Sequence, residues 1–208
     1  ITLTKDFAKH ALSRSQTNAS VPRTRNTYEM PDTFVSLSRN LDAELYVRSV
    51  HAYDAYLSGR ADIRYDFKRN RVVFLVKDGN KVVDAVGRSI DGRSPKWYRY
   101  GNSKCPFVSG SGERGACVVE DAASACSISS HIAGVAVLGT NLLDEHIDYL
   151  TKYPRVFVAL DKDATDKAVD MVKTLCKVVP TKLMVLPRDL KNMTKDERDD
   201  FLRNRIDR

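Results

Sequence analysis

Apolar positions follow two different patterns along the chain, and the change between them divides it. From Ser111 onward, short apolar runs alternate with longer stretches that mix apolar and polar residues. Cys117-Val-Val119, Val135–Leu138, Arg155–Leu160 and Lys182–Leu186 read as buried strands. Asp121–Ile132, Leu142–Leu150, Ala164–Val178 and a charged stretch from about Thr194 read as helices. Strands separated by helices need crossovers, so the pattern predicts an α/β fold. Its sheet should be mainly parallel, with right-handed connections and helices on both faces.

Upstream the pattern is different. The first thirty residues carry no sustained apolar period and set Ser13, Ser15, Thr17, Asn18, Ser20 and Pro22 among basic residues, so they read as an extended arm. The spacing of Leu45, Val50, Tyr53 and Leu57 predicts a helix that Gly59 stops. A basic run, Arg60 to Arg71, leads into two apolar runs, Arg71–Asp78 and Lys81–Arg88, joined by Gly79-Asn80, the signature of a hairpin. A Ser- and Gly-rich loop over 108–115 closes this region. The expected organisation is an arm over 1–30, a smaller basic α+β subdomain over 31–110, and the α/β domain with its final helix over 111–208.

Composition changes this picture in one respect. The 208 residues are 42% hydrophobic and 29% charged, which is ordinary for a folded protein. The net charge of +7 is unevenly spread: residues 1–110 hold 19 Lys and Arg against 11 Asp and Glu, and residues 111–208 hold 15 against 16. A basic half beside a near-neutral half with grouped carboxylates suits a phosphate backbone on one side and metal chemistry on the other. Cys105, Cys117, Cys126 and Cys176 lack the close spacing of a zinc knuckle and are expected to be reduced and largely buried, with no zinc site. No apolar run is long enough for a bilayer span, and no secretory leader is visible, so a soluble cytoplasmic protein without membrane partners is expected.

Two sets of residues carry candidate chemistry. The segment 88–100 interleaves Arg88, Arg93, Lys96 and Arg99 with Trp97, Tyr98 and Tyr100. Cationic groups can neutralise phosphates while flat rings stack on unpaired bases, which fits single-stranded nucleic acid; a surface loop rich in cation–π contacts has the same composition. The second set lies at strand ends, where such sheets bind ligands. Glu120 ends the first strand of the α/β half, Asp161 and Asp163 end the third, and Asp189 follows the fourth. Hard oxygen donors without His or Cys indicate magnesium or manganese. The alternative for Asp163 is to cap the helix beginning at Ala164.

A glutamate after a first strand, Gly139-Thr140 after a second, and Asp161-Lys-Asp163 after a third resemble the Toprim domain. Arg71-Val-Val-Phe74, Gly87-Arg88 and Pro95-Lys-Trp97 resemble the basic N-terminal subdomain of DnaG-type bacterial and phage primases, which topoisomerases and Toprim nucleases lack. The resemblance implies a primase catalytic core that makes short RNA primers from nucleoside triphosphates on a single-stranded DNA template, alongside a replicative helicase. It implies a bacterial cytoplasm, or a host's if the chain is phage-encoded. A Toprim nuclease and a non-catalytic nucleic-acid-binding Toprim module are the alternatives. Glu120, Asp161 and Asp163 match the metal-site and catalytic acids, Asp189 a later acidic position, and the site is expected to hold two or more ions. Arg88 and Lys96 match residues that hold template or nucleotide phosphates, with Arg71, Arg93, Trp97, Tyr98 and Arg99 as neighbouring candidates. Primases of this kind generally carry an upstream zinc module; one belonging to this protein would lie before Ile1, and a helicase or helicase-binding part would lie beyond Arg208. Asp121 stands where the family usually has Gly, and Ser124 where many primases have an acid. Ser124, one turn from Glu120, is expected to face the same cleft; Asp121 either supplies the missing charge or caps the following helix.

Overall fold

The hairpin predicted around Gly79-Asn80 is the centre of an antiparallel sheet. The computed structural model describes residues 28–138 and 141–206, so Gly139-Thr140 and all but the last three residues of the expected arm lie outside the description. Strands β1 (Phe34–Ser36), β2 (Ile63–Asp66), β3 (Arg71–Asp78), β4 (Lys81–Ser89) and β5 (Trp97–Arg99) pair in that order, each antiparallel to the next. Gly79 takes φ 58° at the hairpin turn, a conformation that side-chain-bearing residues resist. The Trp97–Arg99 stretch, whose composition also suited a surface loop, is strand β5, tied to β4 by pairs that include Arg88 with Trp97.

The single helix expected from Leu45 to Leu57 is instead two. Helix α1 (Leu41–Ser49) starts at Asn40, whose side chain accepts the Ala43 amide at 2.8 Å, and helix α2 (Tyr53–Leu57) follows a break. At the break His51 adopts φ 58°; its amide donates to Arg48 O, and the Ala52 amide donates to Val47 O. These two bonds satisfy carbonyls that the end of α1 would otherwise leave free, which ends the helix without a glycine.

The second sheet has the predicted alternation. Strands β6 (Phe107–Ser109), β7 (Ala116–Val119), β8 (Ala133–Ala136), β9 (Val156–Val158) and β10 (Thr181–Leu183) form the order β10-β9-β7-β8-β6, parallel except for β6. Strand β6 was not anticipated, and it places Phe107–Ser109 in the second sheet. Helices α3 (Ala122–Ile128) and α6 (Lys195–Ile206) pack on the face that carries Cys117, Val119, Phe157 and Met184. Helices α4 (Asp144–Leu150) and α5 (Thr165–Leu175) cover the face with Ala116, Val118, Val156 and Val158. Alternate residues of each strand therefore feed different cores, as the pleat requires. Gly134 is needed on β8 because any Cβ there would collide with the backbone of Ala125 in α3.

The two sheets share one core. Phe74 of β3 meets Phe107 of β6 edge-on, with centroids 5.8 Å apart, and both rings are buried. Each such ring contributes about 2–3 kcal/mol by leaving water. Cys117 and Cys126 are buried in this core, Cys105 is half-buried, and Cys176 is exposed, contrary to the expectation of general burial. Among the described residues, no helix is long and apolar enough to cross a membrane.

Candidate functional site

The carboxyl ends of β7 and β9 lie side by side, and this brings Glu120 and Asp161 together. Val118 pairs with Val158, and the Ala159 amide donates to Val118 O, so the two chains leave the sheet in register. Ala159 and Leu160 are buried, which carries Asp161 to the rim before the chain turns into a 3-10 turn at Lys162–Ala164. The Asp161 carboxyl is pushed up from the ordinary carboxylate range to about 7. Burial is the largest cause; the Glu120 carboxyl, within hydrogen-bonding reach, comes next, and Asp189 adds to it, while Lys191 opposes.

The chain after β10 supplies the third side of the rim. Asp189 precedes a 3-10 turn, Leu190–Asn192, whose buried Leu190 anchors it to the core around α3. Lys191, unremarked in the sequence, is thereby aimed into the acidic group. Its Nζ lies 2.7 Å from Asp121 Oδ2 and 4.0 Å from Asp189 Oδ2, with its side chain 18% exposed. Burial works against that charge, yet Asp121, Asp161 and Asp189 outweigh it and raise the ammonium above its ordinary value. A sequence signal existed: Asp189 and Lys191 flank an apolar residue, and a buried Leu190 leaves both neighbours outside the core.

Asp121 caps α3, its Oδ1 accepting the Ser124 amide at 2.8 Å while its Oδ2 accepts from Lys191. Both oxygens are used, so the helix-cap alternative is the one the structure shows. Ser124 does not face a cleft. It is 3% exposed within a wholly buried helix, because α3 packs between the sheet and the chain after β10. Asp163 is exposed on its 3-10 turn, and α5 has Ala164 at its cap with no side-chain cap bond, so Asp163 does not fill the capping role. Among the described residues, no three His, Cys, Asp or Glu side chains close on one point. The four expected acids are thus not a preformed cage. Glu120 and Asp161 are the adjacent pair, with Asp189 beside them and Asp163 outside.

This pair fits a hard divalent cation. Two close carboxylates that must otherwise hold a proton near neutral pH are relieved by positive charge between them, and magnesium is commonly held by one or two carboxylates with water and substrate phosphates completing the shell.

The basic half faces this rim through α1 and β4. Arg88 lies between the rings of Trp97 (5.5 Å) and Tyr46 (5.9 Å), and its buried Nε has no partner. The Tyr46 hydroxyl is raised chiefly by burial, with Arg88 opposing and Asp121 adding, which places Arg88 and the capped end of α3 around one ring. Trp97 also packs on Phe74, and Tyr98 stacks edge-on with Tyr100. Lys96 and Arg93 are exposed, and Arg93 pairs with Asp91 at 2.8 Å.

Two of the expected phosphate binders have internal tasks instead. Arg71 is 4% exposed and donates to the carbonyls of Gly87, Pro95 and Lys96, fixing the segment before β5. Arg99 donates to the fully buried Asp84 at 2.8 Å and to the carbonyls of Ser103 and Leu138, joining the first sheet to the exit of β8. Arg60, Arg64 and Arg69 likewise pair with Asp54, Asp62 and Asp66.

No protein-family model and no curated protein sequence matches the chain. Among solved structures, it is similar to a DnaG primase catalytic domain bound to ssDNA (19% identity, TM-score 0.57), covering 82% of this chain and 60% of that one. It is also similar to the E. coli primase catalytic core (18%, TM-score 0.58, 84% and 65%) and to a DNA primase domain from Pseudomonas aeruginosa (19%, TM-score 0.55, 84% and 63%). The chain therefore spans less than two thirds of the length of these structures, and it has the fold of a DnaG-type Toprim primase core.

Proposed function

We propose that the chain is the catalytic core of a DNA primase, joining ribonucleotides on a single-stranded DNA template. The observation that carries this reading is the Glu120–Asp161 pair at the carboxyl ends of β7 and β9, with the Arg88–Tyr46–Trp97 stack facing the same rim. The likeness to a domain bound to ssDNA supports the template class.

In the proposed reaction, a 3′-oxygen attacks the α-phosphorus of a nucleoside triphosphate, the α–β bond breaks, and pyrophosphate leaves. Glu120, the more exposed acid of the pair, accepts the hydroxyl proton once Asp161 has given up its own. Magnesium or manganese, held by Glu120 and Asp161 with Asp189 at the edge, would supply charge neutralisation on the phosphates. Asp163, exposed outside the pair, is the remaining acid able to meet substrate-bound charge. Arg88 offers its guanidinium to a phosphate oxygen, and Lys96 and Arg93 hold the backbone of template or nucleotide. The rings of Trp97 and Tyr98 orient bases by stacking.

Incubation with ribonucleotides, manganese and a single-stranded template tests the reading. Short oligoribonucleotides are expected. A shortened template would instead indicate a nuclease, and retention without chemistry a binding module.

A further inference from the structure

One ammonium already lies beside the acids of the rim. Lys191 lies against Asp121 at 2.7 Å and Asp189 at 4.0 Å, mostly buried, and its charge also acts on Asp161. Nothing in the helix cap requires a cation there, since Asp121 would cap α3 through Ser124 without it. A lysine is a costly choice for a half-buried position unless fixed negative charge surrounds it. Here Asp121 and Asp189 lie against it, and the turn that presents it is fixed by the buried Leu190.

The same geometry counts the charge left for metal. Lys191 occupies Asp121 outright and leans on Asp189, which also accepts from Asn192 at 3.2 Å. Among the described residues, Glu120 and Asp161 form no ion pair, and Asp163 lies exposed outside the group. Two carboxylates balance one divalent ion, and the ammonium already occupies the position beside the other two.

We propose that Lys191 is a resident cation of the site: its ammonium takes the place of a second divalent ion, so that the apo-protein binds a single magnesium or manganese at Glu120 and Asp161. The inference rests on the reading of that pair as a metal site, and it departs from the two or more ions implied by the family resemblance. Lys191 is a positioning residue. It ties up Asp121, draws Asp189 to the edge of the site and lowers the net negative charge of the cluster when no metal is bound.

Manganese titration calorimetry on the full chain, without nucleotide, decides this. The wild type is expected to bind one ion. Lys191→Met is expected to bind two, with the first at least tenfold tighter, because a nearby positive charge has gone and two acids have been released. Lys191→Arg retains the charge and should still bind one. Thermal melts of the same proteins give a second reading that survives poor folding. Lys191→Met should melt lower than wild type in chelator and gain more from manganese, because binding to the native state restores what the ammonium supplied. Two ions on the wild type, or one ion of unchanged affinity on Lys191→Met, would overturn the proposal while leaving the metal site standing. No ion on any of the three proteins would instead overturn the metal reading itself, and the Lys191 proposal with it.

Discussion

Asp161 and Ser124 show how much a single side chain's surroundings decide. Asp161 has a folded-state value near 7, well above that of an unfolded aspartate, because burial and the neighbouring Glu120 and Asp189 disfavour its charge while Lys191 favours it. A carboxyl raised in this way stabilises the fold fully at pH below its unfolded value, and the contribution is lost as pH rises through about 7. His51 and His146 are lowered by burial, so their contribution runs the other way and is lost as pH falls below their ordinary value. The difference isolates Asp161: in chelator, the melting temperature of Asp161→Asn relative to wild type should rise between pH 6 and pH 8. A pH-independent difference would show that the acid is not held protonated. Ser124 sits in a closed environment, so Ser124→Asp should destabilise by about 3 kcal/mol or more, since a charge is buried without a partner, rather than tighten magnesium binding. Thermal melts and metal titration of that variant separate the two outcomes. The identity of the acids at strand ends was legible in the sequence, because strand ends could be located. The burial of Ser124 was not, since a helix rich in Ala and Ser looks the same whether one face or every face is covered.

At the scale of elements, β5 turns a string of basic and aromatic residues into two populations. Arg71 and Arg99 are struts, while Arg88, Arg93 and Lys96 remain for a ligand. Arg99→Ala leaves Asp84 buried without its cationic partner and should cost about 3–5 kcal/mol. Arg71→Ala should cost about 2 kcal/mol or more through lost bonds to three carbonyls. Arg93→Ala and Lys96→Ala should leave the melting temperature unchanged but lower single-strand affinity and flatten its salt dependence, because only phosphate contacts release counterions. Denaturant melts and binding at two salt concentrations check all four; a stable Arg99→Ala would refute the strut assignment. Apolar periodicity located the parallel strands and their helices to within a few residues; β7, β8 and β9 carry the expected continuous buried runs, whereas β10, expected to be buried, is half-buried to exposed at the edge of its sheet. It missed β6 and ran α1 into α2, since a three-residue edge strand has too few positions to show a period. His51, unlike a glycine, also gives no sign that it ends a helix.

For the whole molecule, the arrangement of the two sheets makes the site. The basic half could be read from charge and the acidic rim from strand order, yet their approach depends on the Phe74–Phe107 contact and on Tyr46 reaching the cap of α3. No local pattern encodes that approach. The proposed activity requires the two faces to work on the same substrate, template on one and the reacting phosphate on the other. The most direct measurement is the rate of labelled ribonucleotide incorporation on a single-stranded template by wild type and Asp161→Asn, with template affinity measured in parallel. Incorporation is expected to fall at least a hundredfold with affinity unchanged, because the pair acts on the phosphate and the basic face holds the strand. Equal rates in the two proteins, or template-directed product from neither, would contradict the account.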